Sequence, residues 1–159
     1  ALAMLPTDLR SRLRVVQQAR EEDLERTKIA YAQSGIAAEV APFFKDLPAR
    51  MAAAHLVIGR AGASTVAELT VIGRPSLLVP LPHALDNDQL NNARRLAESG
   101  GGWCIEQKDL SVERLASEIQ RATAAPQALA AAAEAAKKAG KPDAVSRLAD
   151  FVLALAKSA

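Results

Sequence analysis

Five short apolar runs, each followed by a stretch of helical character, constrain this chain more than any other feature. They are residues 12–18 (RLRVVQQ), 36–40, 55–58 (HLVI), 76–80 (SLLVP) and 103–106 (WCIE). Helical stretches cover 21–34, ending at Gly35; 46–54, with Pro48 tolerated in the first turn; 64–72, closed by Gly73; and 87–99, closed by Gly100. Apolar runs that do not alternate with polar residues suit strands covered on both faces, and each parallel crossover needs a helix. The expectation is one α/β domain over 1–159: a Rossmann-like parallel sheet with helices on both faces. Beyond residue 106 the chain turns wholly helical, over 111–124, 127–139 and 143–157, with breaks at Pro126 and at Gly140-Lys141-Pro142. The Ala-rich stretch 122–139 reads as strong helix propensity rather than disorder.

Composition removes several classes of function. Half of the 159 residues are hydrophobic and 24% are charged, the balance of a folded globular chain. Aromatics make up only 3%, so the core must be aliphatic. Twenty basic residues stand against 18 acidic ones and are scattered among them, which argues against a nucleic-acid partner. The single cysteine, Cys104, excludes an internal disulfide and reads as a small core residue. No run of 18 apolar residues offers a membrane span, and residues 1–6 (ALAMLP) lack the pattern of a signal peptide, so the default compartment is the cytoplasm. That segment reads instead as the last turn of a helix that begins outside the sequence.

In parallel α/β sheets ligands sit at the carboxyl ends of the strands, which directs attention to the loops after Gln18, Val40, Ile58 and Pro80. Two of these loops carry chemistry. In Gly59-Arg60-Ala61-Gly62-Ala63-Ser64-Thr65 a glycine-containing turn runs from strand to helix, aiming free N–H groups and a positive dipole end at one spot suited to a phosphate. It has neither the Lys-Ser/Thr of a phosphate-loop NTPase nor the dinucleotide glycine spacing. A purely structural alternative is a capping box, with Thr65 as cap and Glu68 reaching back. In the second loop, 80–93, polar side chains crowd the start of a helix. Gln89 and Asn92 share a face, and amides there suit sugar hydroxyls because each offers donors and acceptors. Alternatively Asp86 or Asn87 merely caps the helix and Asn92 faces solvent. Asp86-x-Asp88 also permits a manganese reading, weakened by the absence of further ligands at suitable spacing. His83 lies in this loop as a polar residue able to touch a ligand; His55 reads as structural, and Arg94-Arg95 as a solvated helix face.

Three ordered motifs, Arg60-Ala61-Gly62-Ala63-Ser64-Thr65-Val66-Ala67-Glu68-Leu69, then Gly73-Arg74-Pro75-Ser76-Leu77-Leu78-Val79-Pro80, then Asp86-Asn87-Asp88-Gln89 with Asn92-Ala93, closely resemble the C-terminal domain of the MurG family. The resemblance extends over nearly the whole chain and includes Ala41-Pro42-Phe43-Phe44. It implies the C-terminal, donor-binding half of an inverting GT-B glycosyltransferase that moves N-acetylglucosamine (GlcNAc) from UDP onto lipid I to make lipid II in peptidoglycan synthesis. Carried over, Glu68 would accept hydrogen bonds from the ribose hydroxyls, and Arg60, Gly62, Ala63, Ser64 and Thr65 would face the diphosphate. Asp88 and Gln89 would hold the sugar, and Phe44 with Leu47 would border the uracil. No catalytic residue and no protein-bound metal or other cofactor is implied for this half.

The resemblance also implies what lies outside the sequence: a first strand with a Gly-rich loop near the phosphates, and an N-terminal acceptor domain carrying the membrane contact and the base. On that reading the chain alone is soluble and inactive, and the complete protein is a peripheral enzyme on the cytoplasmic side of the bacterial inner membrane. Asp88 stands where the family often carries His or Gln, which leaves its role open. Rival readings are a separate UDP-GlcNAc-binding subunit of a split transferase, a GT-B enzyme with another lipid acceptor, and a nucleotide-sugar sensor without catalysis.

Overall fold

The computed structural model describes residues 1–82 and 85–158. Its strands are β1 (Arg14–Gln18), β2 (Ala37–Ala41), β3 (Val57–Gly59), β4 (Ser76–Leu78) and β5 (Gly102–Cys104). Its helices are α1 (Thr7–Arg12), α2 (Leu24–Ser34), α3 (Leu47–Ala53), α4 (Ala63–Ile72), α5 (Asp88–Glu98), α6 (Val112–Ala124), α7 (Pro126–Ala139) and α8 (Ala144–Ser158). The α/β alternation is as the sequence implies, and every strand pairing is parallel.

The strands do not form one continuous sheet. β1 pairs only with β2, from Arg14 opposite Ala37 to Gln18 opposite Ala41, while β3, β4 and β5 form a second ladder with β4 at its centre. Among the described residues no strand bonds to both ladders. Apolar runs reveal how many strands exist but not which edges meet. Burial sorts them in the same way: β1 alternates exposed with half-buried positions, and only β4 is buried throughout.

β4 organises the core because successive side chains of a strand point to opposite faces. Leu78 packs with Met51 of α3, Leu69 of α4, Ala93 and Leu96 of α5 and Ala136 of α7. On the other face Leu77 joins Val79 and Ile105, with Leu110 and Leu115 against them. Leu115, Ala116 and Ile119 of α6 also receive the N-terminal segment, where Leu5 is buried. Residues 1–6 form a short 3-10 turn, Leu2–Met4, before that anchor, and α1 follows from a stretch with no apolar periodicity to announce it. α8 is amphipathic and leaves Val145, Leu148, Phe151, Val152 and Leu155 exposed.

The Ala-rich α7 is helical for the propensity reason given above, but its small side chains also let it approach closely. Ala132 and Ala136 are buried, and the Lys137 ammonium donates to the Val71 carbonyl (2.9 Å) at the C-terminal end of α4. There Gly73 adopts φ +77°, a left-handed conformation that closes the helix with both Gly73 N–H and Arg74 N–H donating to the Leu69 carbonyl. Gly102 is required for a different reason: a Cβ there would lie 2.3 Å from the Ser76 carbonyl oxygen in the adjacent strand. Gly102→Ala should therefore cost ~3 kcal/mol or more, because neither ladder strand can yield, whereas Gly59→Ala, whose Cβ meets nothing within 4 Å, should change stability little. Urea denaturation followed by circular dichroism measures both.

Candidate functional site

The carboxyl ends of β3, β4 and β5 lie side by side in a parallel ladder, and the turns leaving them are tied together by side chains. The turn after β3 opens α4 at Gly62, which occupies the cap position with no side-chain cap. Val66 N–H, donating to the Gly62 carbonyl (3.0 Å), is the first helical bond, so the N–H groups of Ala63, Ser64 and Thr65 remain open. Thr65 thus lies inside the first turn rather than at the cap, and the capping box does not form. Glu68 is exposed, with no hydrogen bond or ion pair to any described residue.

α5 supplies the ties. The Gln89 side-chain oxygen accepts from the N–H groups of Ala61 (3.2 Å) and Leu81 (3.0 Å), bridging the turns after β3 and β4. Asn92 donates from Nδ2 to the Ala61 carbonyl (3.1 Å), so it does not simply face solvent. Their three-residue spacing does place both amides on one face, and that face meets Ala61. Asp88 is the exposed first residue of the helix. Asn87 sits at the cap without a cap bond, and it and Asp86 adopt φ of 56° and 52°. His83 lies outside the described residues.

Arg60 reaches across the same strand ends. Its Nη1 donates to the carbonyls of Val79 (3.1 Å) and Pro80 (3.3 Å) and to Oε1 of Gln107 (2.9 Å), so in this conformation the guanidinium is a strut between three loops. Gln107 carries no mark in the sequence, since its partner lies 47 residues away.

After β2, Phe44 is buried with the Arg50 guanidinium 4.4 Å from its ring centre. The exposed large hydrophobic side chains of this segment are Phe43, 67% exposed, and Leu47. Arg50 also donates to Asp46 and Glu39, both at 2.7 Å, and that hydrogen bond holds the Asp46 carboxyl below its ordinary value. Met51 of the following helix packs against Ala61 and Leu69, seating the segment beside the α4 turn. Elsewhere, burial pushes the Cys104 thiol up, in keeping with a packing role. A groove between β5, α6 and α7 holds Trp103, Arg114, Glu118 and Arg121, but Glu118 already pairs with both arginines. The described residues contain no group of three or more His, Cys, Asp or Glu placed to hold a metal.

Comparison with known proteins places this parallel α/β fold among glycosyltransferase domains. Residues 2–148 match the glycosyltransferase family 28 C-terminal domain, and the chain belongs to that family. It is 58% identical over 160 aligned positions to the UDP-N-acetylglucosamine--N-acetylmuramyl-(pentapeptide) pyrophosphoryl-undecaprenol N-acetylglucosamine transferase of Methylobacterium sp. (strain 4-46), covering 100% of this chain and 43% of that protein. The like-named Brucella anthropi protein is 56% identical, over 98% of this chain and 42% of its own length. The crystal structure of Acinetobacter baumannii MurG superposes with a TM-score of 0.83 at 28% identity, covering 96% of this chain and 47% of that one. The glycosyltransferase VinC in complex with dTDP, at TM-score 0.57 and 24% identity, shares the fold over 84% of this chain and 40% of its own. The chain spans about two fifths of the length of the curated relatives it matches.

Two outcomes follow from the local geometry. Asn tolerates the left-handed backbone at 87 better than most residues, so Asn87→Val should destabilise the chain by ~1–2 kcal/mol and Asn87→Gly should not, as read from the urea midpoint. The Asp46 carboxyl should titrate below an ordinary aspartate by NMR. Because its folded value is lowered, the stability it contributes is present above the unfolded value and is lost as pH falls through the folded one.

Proposed function

We propose that this chain is the donor-binding half of an inverting GT-B glycosyltransferase that transfers GlcNAc from UDP-GlcNAc to lipid I, forming lipid II for peptidoglycan. The observation that carries this reading is the open start of α4: three unpaired N–H groups at a positive dipole end, with an unengaged carboxylate, Glu68, in the following turn. Such a helix start suits a diphosphate, and a free carboxylate suits the paired hydroxyls of a ribose. The Gln89 amide hydrogens, which bond to no described residue while its oxygen grips the turn, are available for sugar hydroxyls, with Asp88 beside them. Phe43 and Leu47, as the exposed apolar groups after β2, would border the uracil, and Phe44 would contribute through its backbone. Arg60 would act on the diphosphate through the shape of the turn it braces.

In the reaction the acceptor hydroxyl attacks the anomeric carbon as the bond to the diphosphate oxygen breaks. The electron pair leaves with UDP, and the hydroxyl proton passes to a base from outside this chain. Charge growing on the leaving diphosphate is met by the preorganised N–H groups of α4, a task that requires no protein-bound metal. The acceptor and the membrane would be engaged by the remainder of the protein, at the cytoplasmic face of the bacterial inner membrane. No helix among the described residues is long and apolar enough to cross a membrane.

Calorimetric titration with UDP-GlcNAc tests the donor half. Binding should be unchanged by EDTA and should weaken by about 10- to 100-fold in Glu68→Ala, the ~1–3 kcal/mol of a lost hydrogen-bond partner. Binding abolished by EDTA, or indifferent to Glu68, would overturn the assignment. Conversion of lipid I by the full-length protein tests the acceptor.

A further inference from the structure

The turn between β3 and α4 is held at its ends by backbone, since Gly59 pairs in the ladder and the Gly62 carbonyl accepts from Val66 N–H, but Ala61 between them makes no backbone–backbone hydrogen bond to any described residue. What fixes it lies on another helix. Ala61, fully buried, is held on both sides: Gln89 Oε1 accepts its N–H and Asn92 Nδ2 donates to its carbonyl. In a trans peptide the C=O and the next N–H point in opposite directions. Holding the Ala61 carbonyl therefore sets the direction of Gly62 N–H, the donor that immediately precedes the open groups of Ala63, Ser64 and Thr65.

We propose that Asn92 is a positioning residue for the diphosphate: with Gln89 it grips the Ala61 peptide and thereby aims the N–H groups at the start of α4. This rests on the donor-site reading above and deepens it by giving Asn92 a task separate from contact with the sugar. The alternative role for an amide at this place, direct hydrogen bonding to GlcNAc, makes a different prediction. Asn92 sits on the α5 side of Ala61, and one of its two amide hydrogens is committed to the protein before any ligand arrives.

The experiment compares wild type, Asn92→Ala and Asn92→Asp in the full-length protein. NMR titration with uridine, UDP and UDP-GlcNAc is paired with hydrogen exchange at the Ala61 amide, and thermal melting confirms that each variant is folded. Asn92→Asp keeps the side-chain shape but cannot donate to the Ala61 carbonyl. The expected result is a loss of about 10-fold for UDP and UDP-GlcNAc alike, unchanged binding of uridine, and about 10-fold faster exchange at the Ala61 amide, whose bond to Gln89 loosens once the carbonyl side of the grip is lost, in both variants. A loss confined to UDP-GlcNAc overturns the proposal in favour of direct sugar contact. Unchanged exchange at Ala61, or an equal loss on uridine, overturns it as well. Failure of wild type to bind UDP-GlcNAc overturns the donor-site reading itself; faster exchange at Ala61 in the variants would then reduce the grip to a purely structural one.

Discussion

A three-residue strand carries the architecture. β4 is bonded on both edges and buried on both faces, so Leu77 and Leu78 each hold a separate helical layer to the same backbone. The helices on the Leu78 side include α4 and α5, the two whose N-terminal ends build the candidate site. Packing of their first turns is thus set by the same cluster that stabilises the core. The tight approach of Gly102 to Ser76 belongs to this arrangement: a short, close ladder brings three loops within reach of single side chains.

The site differs from a typical anion pocket in how its polar groups are used. Arg60, the one cation in the β3–α4 turn, is engaged with carbonyls and Gln107, and the Gln89 oxygen is engaged with two backbone amides. The Arg60 guanidinium and the Gln89 oxygen are thus spent on holding the loops in place. Among the described residues, the backbone N–H groups at the start of α4, the Gln89 amide hydrogens and the carboxylates of Glu68 and Asp88 remain open. Preorganised dipoles of this kind cost no reorganisation when charge develops, which is where their value in stabilising a leaving group lies.

Much of this was legible in the sequence, for identifiable reasons. Helix ends at Gly35 and Gly73 could be read because left-handed caps demand glycine, and the order of strands and helices followed from apolar runs and their spacing. The split between the two ladders was not legible, because edge pairing leaves no local mark. The same holds for the Arg60–Gln107 contact and for the burial of Phe44 under Arg50 in place of Phe43, since a pair of adjacent aromatics does not say which one turns inward. The capping box shows the opposite failure. Thr65 and Glu68 have the right spacing, but the helix cap lies three residues earlier, at Gly62, and the pattern is met without the bond.

The choice of neutral donors has a consequence for turnover. A fixed cation would bind the donor's diphosphate and the product UDP alike, since both present the same charged group. Such uniform binding lowers KM without raising kcat and, if strong, slows product release. N–H groups at a helix start carry only partial charge and hold a released diphosphate less tightly than a guanidinium pair would. On the donor-site reading, committing Arg60 to the loops would leave the diphosphate to the partial charges of the α4 amides. The rigidity of the Ala61 turn then matters more than the number of charges around it.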